Sequence, residues 1–215
     1  LYIFKNTEGT PENIRKFHPN IIVSSTGSAP LLPPIAGLKD RIDNENHNIY
    51  SILGMISHIN DFPKDLEGKK VVVVGGGAVG LDVVEFFADR NADISIVEMM
   101  DQIGRDLDPV SKNDTKTMMK KHNVHQLTKT ALLEVKDSSF LVKGDGEPYE
   151  LPFEYGFVCL GMRAQGQLYQ SLTEEFSSED VEIMNIGDSQ RARRIIDGTQ
   201  EGRNILTILE QKGYL

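Results

Sequence analysis

Val71-Val72-Val73-Val74 runs into Gly75-Gly76-Gly77-Ala78-Val79-Gly80, and eighteen positions further on Ile94-Ser95-Ile96-Val97 ends in Glu98. These residue types at this spacing can hold a dinucleotide. A glycine at 75 permits a tight turn after a buried strand, and one at 77 lets the backbone approach a pyrophosphate. Gly80 lets the next helix pack closely, so the first-turn amides of Ala78 and Val79 and the positive end of the helix dipole face the phosphates. Glu98, at the end of the second strand, can accept hydrogen bonds from an adenosine ribose diol. A carboxylate there repels a 2′-phosphate. A like-charge contact of about 1–3 kcal/mol corresponds to roughly a ten- to hundredfold preference for NADH over NADPH.

The elements that must position these residues can be read from the same sequence. The apolar run 71–74, the amphipathic stretch 81–88 and the strand ending at Glu98 form a β-α-β unit. Asn91 stands where the chain must leave the helix in a left-handed conformation. Asp108-Pro109 opens a further helix, expected to run to about His122 with a Met118-Met119 core stripe, and Val124–Thr128 should be the third parallel strand. Residues 130–135, 140–142 and 149–151 read as antiparallel strands. Phe157–Leu160 is a buried strand that ends in Gly161. Thr10 caps a helix with Pro11 at its first position, and Leu1–Lys5 reads as a strand. Residues 50–60 should form a short helix, and a long one should cover 195–212.

A single dinucleotide fold explains residues 68–160 and leaves two flanking pieces. Each presents a strand ending in glycine: Ser25-Thr26-Gly27 before, and Ile186-Gly187-Asp188 after. The arrangement predicts one domain inserted in another.

Charge and composition narrow the class further. The 215 residues carry a net charge of −9 with no basic block, which argues against a nucleic-acid surface. The longest apolar stretch, near residues 71–81, is too short to span a bilayer, and a single cysteine, Cys159, fits a reducing cytoplasm. Cys159 reads as a core residue, His122 and His125 as surface residues, and Asp106-Leu107-Asp108 as helix-capping acids, so no metal site is expected.

Together these segments resemble the flavoproteins with two dinucleotide-binding domains: disulfide reductases, NADH oxidases and ferredoxin reductases. Ile22–Pro30 resembles the family's Ala-Thr-Gly segment, with serine in the alanine position. Val181–Asp188 resembles the flavin motif whose aspartate binds the ribityl chain, and Phe157–Met162 the glycine segment near the nicotinamide. The resemblance implies an α/β fold, a Rossmann-like NAD(P)-binding domain (47–165) inserted in a partial FAD-binding domain (1–46 and 166–215). The expected cofactor contacts are Gly75, Gly77, Ala78, Val79, Gly80, Glu98 and Gly161 for NADH, and Thr26, Gly27, Gly187 and Asp188 for FAD. No catalytic side chain is expected, because cofactors carry the hydride chemistry.

Ile96–Ile103 and Ile195–Ile205 look most like the C-terminal portion of 2-enoate reductases, the 2,4-dienoyl-CoA reductase group. That resemblance implies FMN and a 4Fe-4S cluster upstream, and a missing N-terminal part of the same polypeptide as partner. It also implies that this segment alone does not retain FAD and could self-associate as a homo-oligomer. The alternatives are a ferredoxin- or disulfide-reductase-like flavoprotein fragment, and a non-catalytic redox-sensing dinucleotide module.

Overall fold

A computed structural model describes residues 1–214. The chain forms two compact units, Leu1–Ala29 together with the stretch from Met162 onward, and Pro30–Gly161. The N-terminal piece supplies α1 (Pro11–Arg15), β1 (Ile21–Ser24) and β2 (Ser28–Pro30). The central stretch supplies α2 (Leu38–Arg41), β3 (Ile49–Tyr50), α3 (Ile52–Ser57), β4 (Lys70–Val74), α4 (Ala78–Ala88) and β5 (Asp93–Val97). It continues with α5 (Pro109–Lys121), β6 (His125–Leu127), β7 (Ala131–Val135), β8 (Ser139–Lys143), β9 (Tyr149–Pro152) and β10 (Tyr155–Val158). The returning chain adds β11 (Met162–Ala164), α6 (Gln167–Glu175), β12 (Glu182–Asn185), a 3₁₀ turn at Gly187–Ser189 and α7 (Ile195–Gln211). The central unit is therefore an insertion in the flanking one, the α/β arrangement expected from sequence.

The central unit is built on a five-stranded parallel sheet in the order β3-β10-β4-β5-β6. Its middle strand, β4, is apolar on every side chain from Val71 to Val74 because both sheet faces are covered. Val71 and Val73 face one core with Ile94, Ile96, Phe87 and Phe157, beneath α4 and α5. Val72 and Val74 face a second core with Phe140, Val142 and Val135 of the antiparallel sheet β7-β8-β9. Each such valine contributes about 1.5–3 kcal/mol by leaving water. The alternation explains why this strand cannot slip by one residue without exchanging its two cores.

The flanking unit holds two short two-stranded sheets, β1-β12 (parallel) and β2-β11. Ile22 of β1 packs with Leu172 and Phe176 from α6 and its C-terminal end.

Two expectations need correction. The compact central unit begins at Pro30, not at 47, and ends at Gly161, not 165. Leu38 of α2 and Ile42, the residue just after it, bury their side chains in the same core as Phe140 and Val142, which binds residues 30–46 to the central core. Leu1–Lys5 is not a strand: Leu1 to Phe4 are exposed, no strand among the described residues pairs with them, and Phe4 instead packs its ring on Phe17, 5.1 Å between centroids. An isolated strand gains no ladder bonds to offset its ordering.

Candidate functional site: a glycine turn under a helix N-terminus

The dinucleotide-type residues come together at the C-terminal end of β4. Gly75 adopts φ of +110°, which a side chain rarely tolerates, and its amide donates to the Val97 carbonyl at 2.8 Å. A Cβ on Gly75 would also strike the carbonyl oxygen of Cys159 on the neighbouring strand end. Gly80 lies in the first turn of α4, where a Cβ would stand 1.9 Å from the Gly75 carbonyl oxygen. The helix therefore sits directly on the turn. Gly77 differs from both: it is the N-cap of α4, and a Cβ there would point into open space. No side chain caps this helix end, which leaves the first-turn amides, Ala78 and Val79 among them, without intrahelical partners and aimed outward. An uncapped helix N-terminus beside an open backbone is a cradle for a phosphate group.

Glu98 is fixed rather than mobile. Its Oε2 accepts from the Gly76 amide at 2.7 Å and its Oε1 from the Met100 amide at 2.7 Å. Two charge-assisted bonds orient the carboxylate beside the glycine turn, and each oxygen keeps lone pairs for a hydroxyl donor. The main chain of Glu98 is tied to β6 and the segment beyond, accepting from Thr130 and donating to Leu127 at 2.9 Å each.

These groups line one cavity of about 760 Å³. Gly75, Gly77, Ala78, Val79, Glu98 and Gly161 all border it, while Gly80 stays behind the turn as a packing residue. Such a volume lies within the range of sites for cofactors and drug-sized ligands. Gly161 has φ of +105° and accepts from the Leu31 amide at 2.9 Å.

Sequence reasoning missed Arg105, which also borders the cavity with Gln102 and Asp106. It stands seven residues beyond Glu98 along the chain. The loop that carries it is pulled back over the glycine turn by the Gly104 amide, which donates to the Gly76 carbonyl at 2.7 Å. The glycine at 104, with φ of +66°, was the available signal. Asp108 caps α5 as expected, accepting from the amides of Val110 and Ser111. Its carboxyl is held below the usual carboxylate range, chiefly by the Ser111 hydroxyl.

Cys159 borders the cavity but is a poor nucleophile. Burial, with a smaller contribution from Asp82, pushes its thiol up to about 12. His125 approaches Asp93 at 3.5 Å, and among the described residues no group of three or more His, Cys, Asp or Glu has a metal-binding arrangement.

The flanking unit gathers the second set of expected contacts. Thr26 donates to the Gln165 carbonyl at 2.5 Å, and the Gln165 amide donates to the Gly27 carbonyl at 3.0 Å. Asp188 accepts from the Ser28 hydroxyl at 3.0 Å and from the Arg193 amide at 3.1 Å. The Thr26-Gly27 and Gly187-Asp188 turns, 160 residues apart, thus meet at the parallel β1-β12 pair. Glu201 of α7 accepts from the Gly187 amide at 2.6 Å and pairs with Arg193, which holds its carboxyl below the ordinary range. Ser28, Arg193 and Glu201 were not singled out in the sequence; only their contacts distinguish them.

The chain matches known proteins over most of its length. Residues 4–184 fit the model of a family described as pyridine nucleotide-disulphide oxidoreductase. An NADH oxidase of Thermoanaerobacter brockii is 26% identical over 192 residues, 89% of this chain and 28% of that protein. A cinnamate reductase of Clostridium sporogenes is 21% identical over 194 residues, 89% of this chain and 27% of that protein. The chain therefore spans less than a third of the length of these relatives. A 2-naphthoyl-CoA reductase, solved with 2-naphthoyl-CoA, superimposes with a TM-score of 0.74 at 22% identity, over 92% of this chain and 28% of that one. At this identity the superposition speaks to the fold.

Proposed function

The chain belongs to the pyridine nucleotide-disulphide oxidoreductase family, and we propose that it is the part of a flavin-dependent oxidoreductase that binds NADH and delivers its hydride to FAD. The observation that carries this reading is the cradle in the central unit: the uncapped N-terminus of α4 over Gly77, with the fixed carboxylate of Glu98 beside it. In this reading the amides of Ala78 and Val79 hold the pyrophosphate, and Glu98 receives the adenosine ribose hydroxyls. Gly161 leaves room for the nicotinamide end of the same ligand. In the flanking unit Asp188, with Thr26, Gly27 and Gly187, would hold the ribityl side of FAD. When bound, the two cofactors supply the hydride transfer itself. The protein's part is to bind, orient and exclude water, so no acid–base residue is assigned.

NADH is the preferred donor, because Glu98 opposes a 2′-phosphate. The finer assignment is an enoate-reductase-type enzyme in which FMN and an iron–sulfur cluster, carried by an upstream part of the polypeptide, relay electrons to an activated carbon–carbon double bond. The cinnamate reductase among the relatives and the short share of their length support it. Among the described residues no helix is long and apolar enough to cross a membrane. The cytoplasmic reading rests instead on the single cysteine, which fits a reducing compartment.

The test is calorimetric titration of the chain with NADH and NADPH, with Glu98→Ala alongside. NADH should bind, NADPH roughly tenfold or more weakly, and Glu98→Ala should weaken NADH by a similar factor, about 1.4 kcal/mol. If neither nucleotide binds the parent chain, the reading is wrong. In the full-length protein, anaerobic NADH should bleach the flavin absorbance and cinnamate should restore it; a flavin that NADH leaves oxidised refutes the electron route.

A further inference from the structure

A second cavity of about 540 Å³ lies between α5, β6 and the loop after Glu98, and the dinucleotide reading does not use it. Leu107 and the buried Met119 give it an apolar floor, and Gln126 and Thr128 border it with hydrogen-bonding groups. Lys112 and Lys116, one turn apart on α5, stand on the same side of it. Among the described residues neither lysine has an ion-pair partner. The reason is local. The acid one turn before Lys112 is Asp108, which spends its carboxylate on the helix cap, and the residue one turn before Lys116 is Lys112 itself. One acid, Asp101, borders the cavity, so the lysines leave its lining with a positive balance.

We propose that this cavity is a second ligand site, for an organic anion with an apolar body, and that it is coupled to the dinucleotide pocket. The apolar floor takes the body, the two ammonium groups take the anionic end, and neither alone would select such a molecule. The coupling runs through the loop 99–108. Gln102 borders both cavities, Asp101 and Gly104 border the second, and Arg105 and Asp106 border the first. The Gly104 amide fastens that loop to the Gly76 carbonyl in the glycine turn. A ligand that shifts the loop therefore shifts the turn that receives the pyrophosphate, and linkage makes the effect reciprocal. The coupling, though not the site, rests on the NADH reading above.

The probe is 8-anilinonaphthalene-1-sulfonate, an aromatic sulfonate whose fluorescence rises on transfer to an apolar site. The dye should saturate a single site while NADH is present in excess. Lys112→Ala/Lys116→Ala should raise its dissociation constant roughly tenfold or more, whereas Lys112→Arg/Lys116→Arg should stay within about threefold of the parent, since both keep or remove charge-assisted contacts without touching the core. Saturating dye should change the NADH dissociation constant at least about twofold. The proposal is overturned if the dialanine chain, folded by circular dichroism, binds the dye as the parent does, if NADH displaces the dye completely, or if dye leaves NADH affinity unmoved. A chain that binds no NADH but loses the dye in the dialanine variant would sink the dinucleotide reading and the coupling while keeping the site.

Discussion

Gly80→Ala and Gly77→Ala, three residues apart, should fail in opposite ways. At Gly80 the added Cβ would lie 1.9 Å from the Gly75 carbonyl oxygen, which is backbone and cannot rotate aside. Overpacking typically costs about 1–3 kcal/mol where side chains can yield, and a rigid neighbour places this case at the upper end. Alanine returns about 1 kcal/mol of helix propensity. The net loss is about 2 kcal/mol, which lowers the melting temperature by roughly 4–8 °C for a protein of this size. At Gly77 the Cβ meets nothing within 4 Å and φ is −78°, so the change costs under about 1 kcal/mol as a poorer N-cap. It does, however, put a methyl group where the pyrophosphate must approach, and NADH affinity should fall about tenfold or more. Thermal melts followed by circular dichroism and calorimetric NADH titration separate the two. Gly80→Ala melting at or above the parent would refute the close packing of α4 on the turn. Gly77→Ala binding NADH like the parent would refute the placement of the phosphates.

Three further outcomes follow from the site. The Cys159 thiol, at about 12, should react slowly with iodoacetamide in the native chain at neutral pH and fully after denaturation; rapid native labelling would contradict its burial. Asp108 has a folded pKa below its unfolded one, so its stabilisation of α5 is complete above the ordinary carboxylate range and is lost as pH falls through the depressed value. Asp108→Ala should flatten the acid side of the stability profile, measured by urea melts from neutral pH downward, and an unchanged profile would remove the cap from the account. Arg105→Ala should weaken NADPH by a further severalfold and NADH by less than about threefold, since an exposed cation near a dianionic phosphate contributes up to about 1 kcal/mol; equal losses for both nucleotides, in the same calorimetric titrations, would mean it does not read the 2′ position.

Much of this molecule could be read from the chain because its signals are local. Four valines followed by glycines specify a two-faced strand and a turn within ten residues. Thr10-Pro11 and Asp108-Pro109 announce their helices, and both caps form. Asn91 has φ of +62° after α4, as its place demanded. The parallel strand ending at Leu127 and the antiparallel trio at 131–152 also stand where their patterns put them. Tertiary contacts decided the rest. α2 is four residues long and β3 two, too short to show a period; they exist because Leu38 and Ile49 are fully buried in the second core. α6 was overlooked although Leu172 anchors it, since its face becomes meaningful only against Ile22, 150 positions earlier. Arg105 came to the cavity through one backbone bond, Gly104 to Gly76, between segments nearly thirty residues apart. Sequence by itself determined which residues could hold a dinucleotide, because strand, turn, helix start and acid are set by neighbours along the chain. Only the folded structure decided which other groups share the cavity with them, because that depends on loops whose course no local preference dictates.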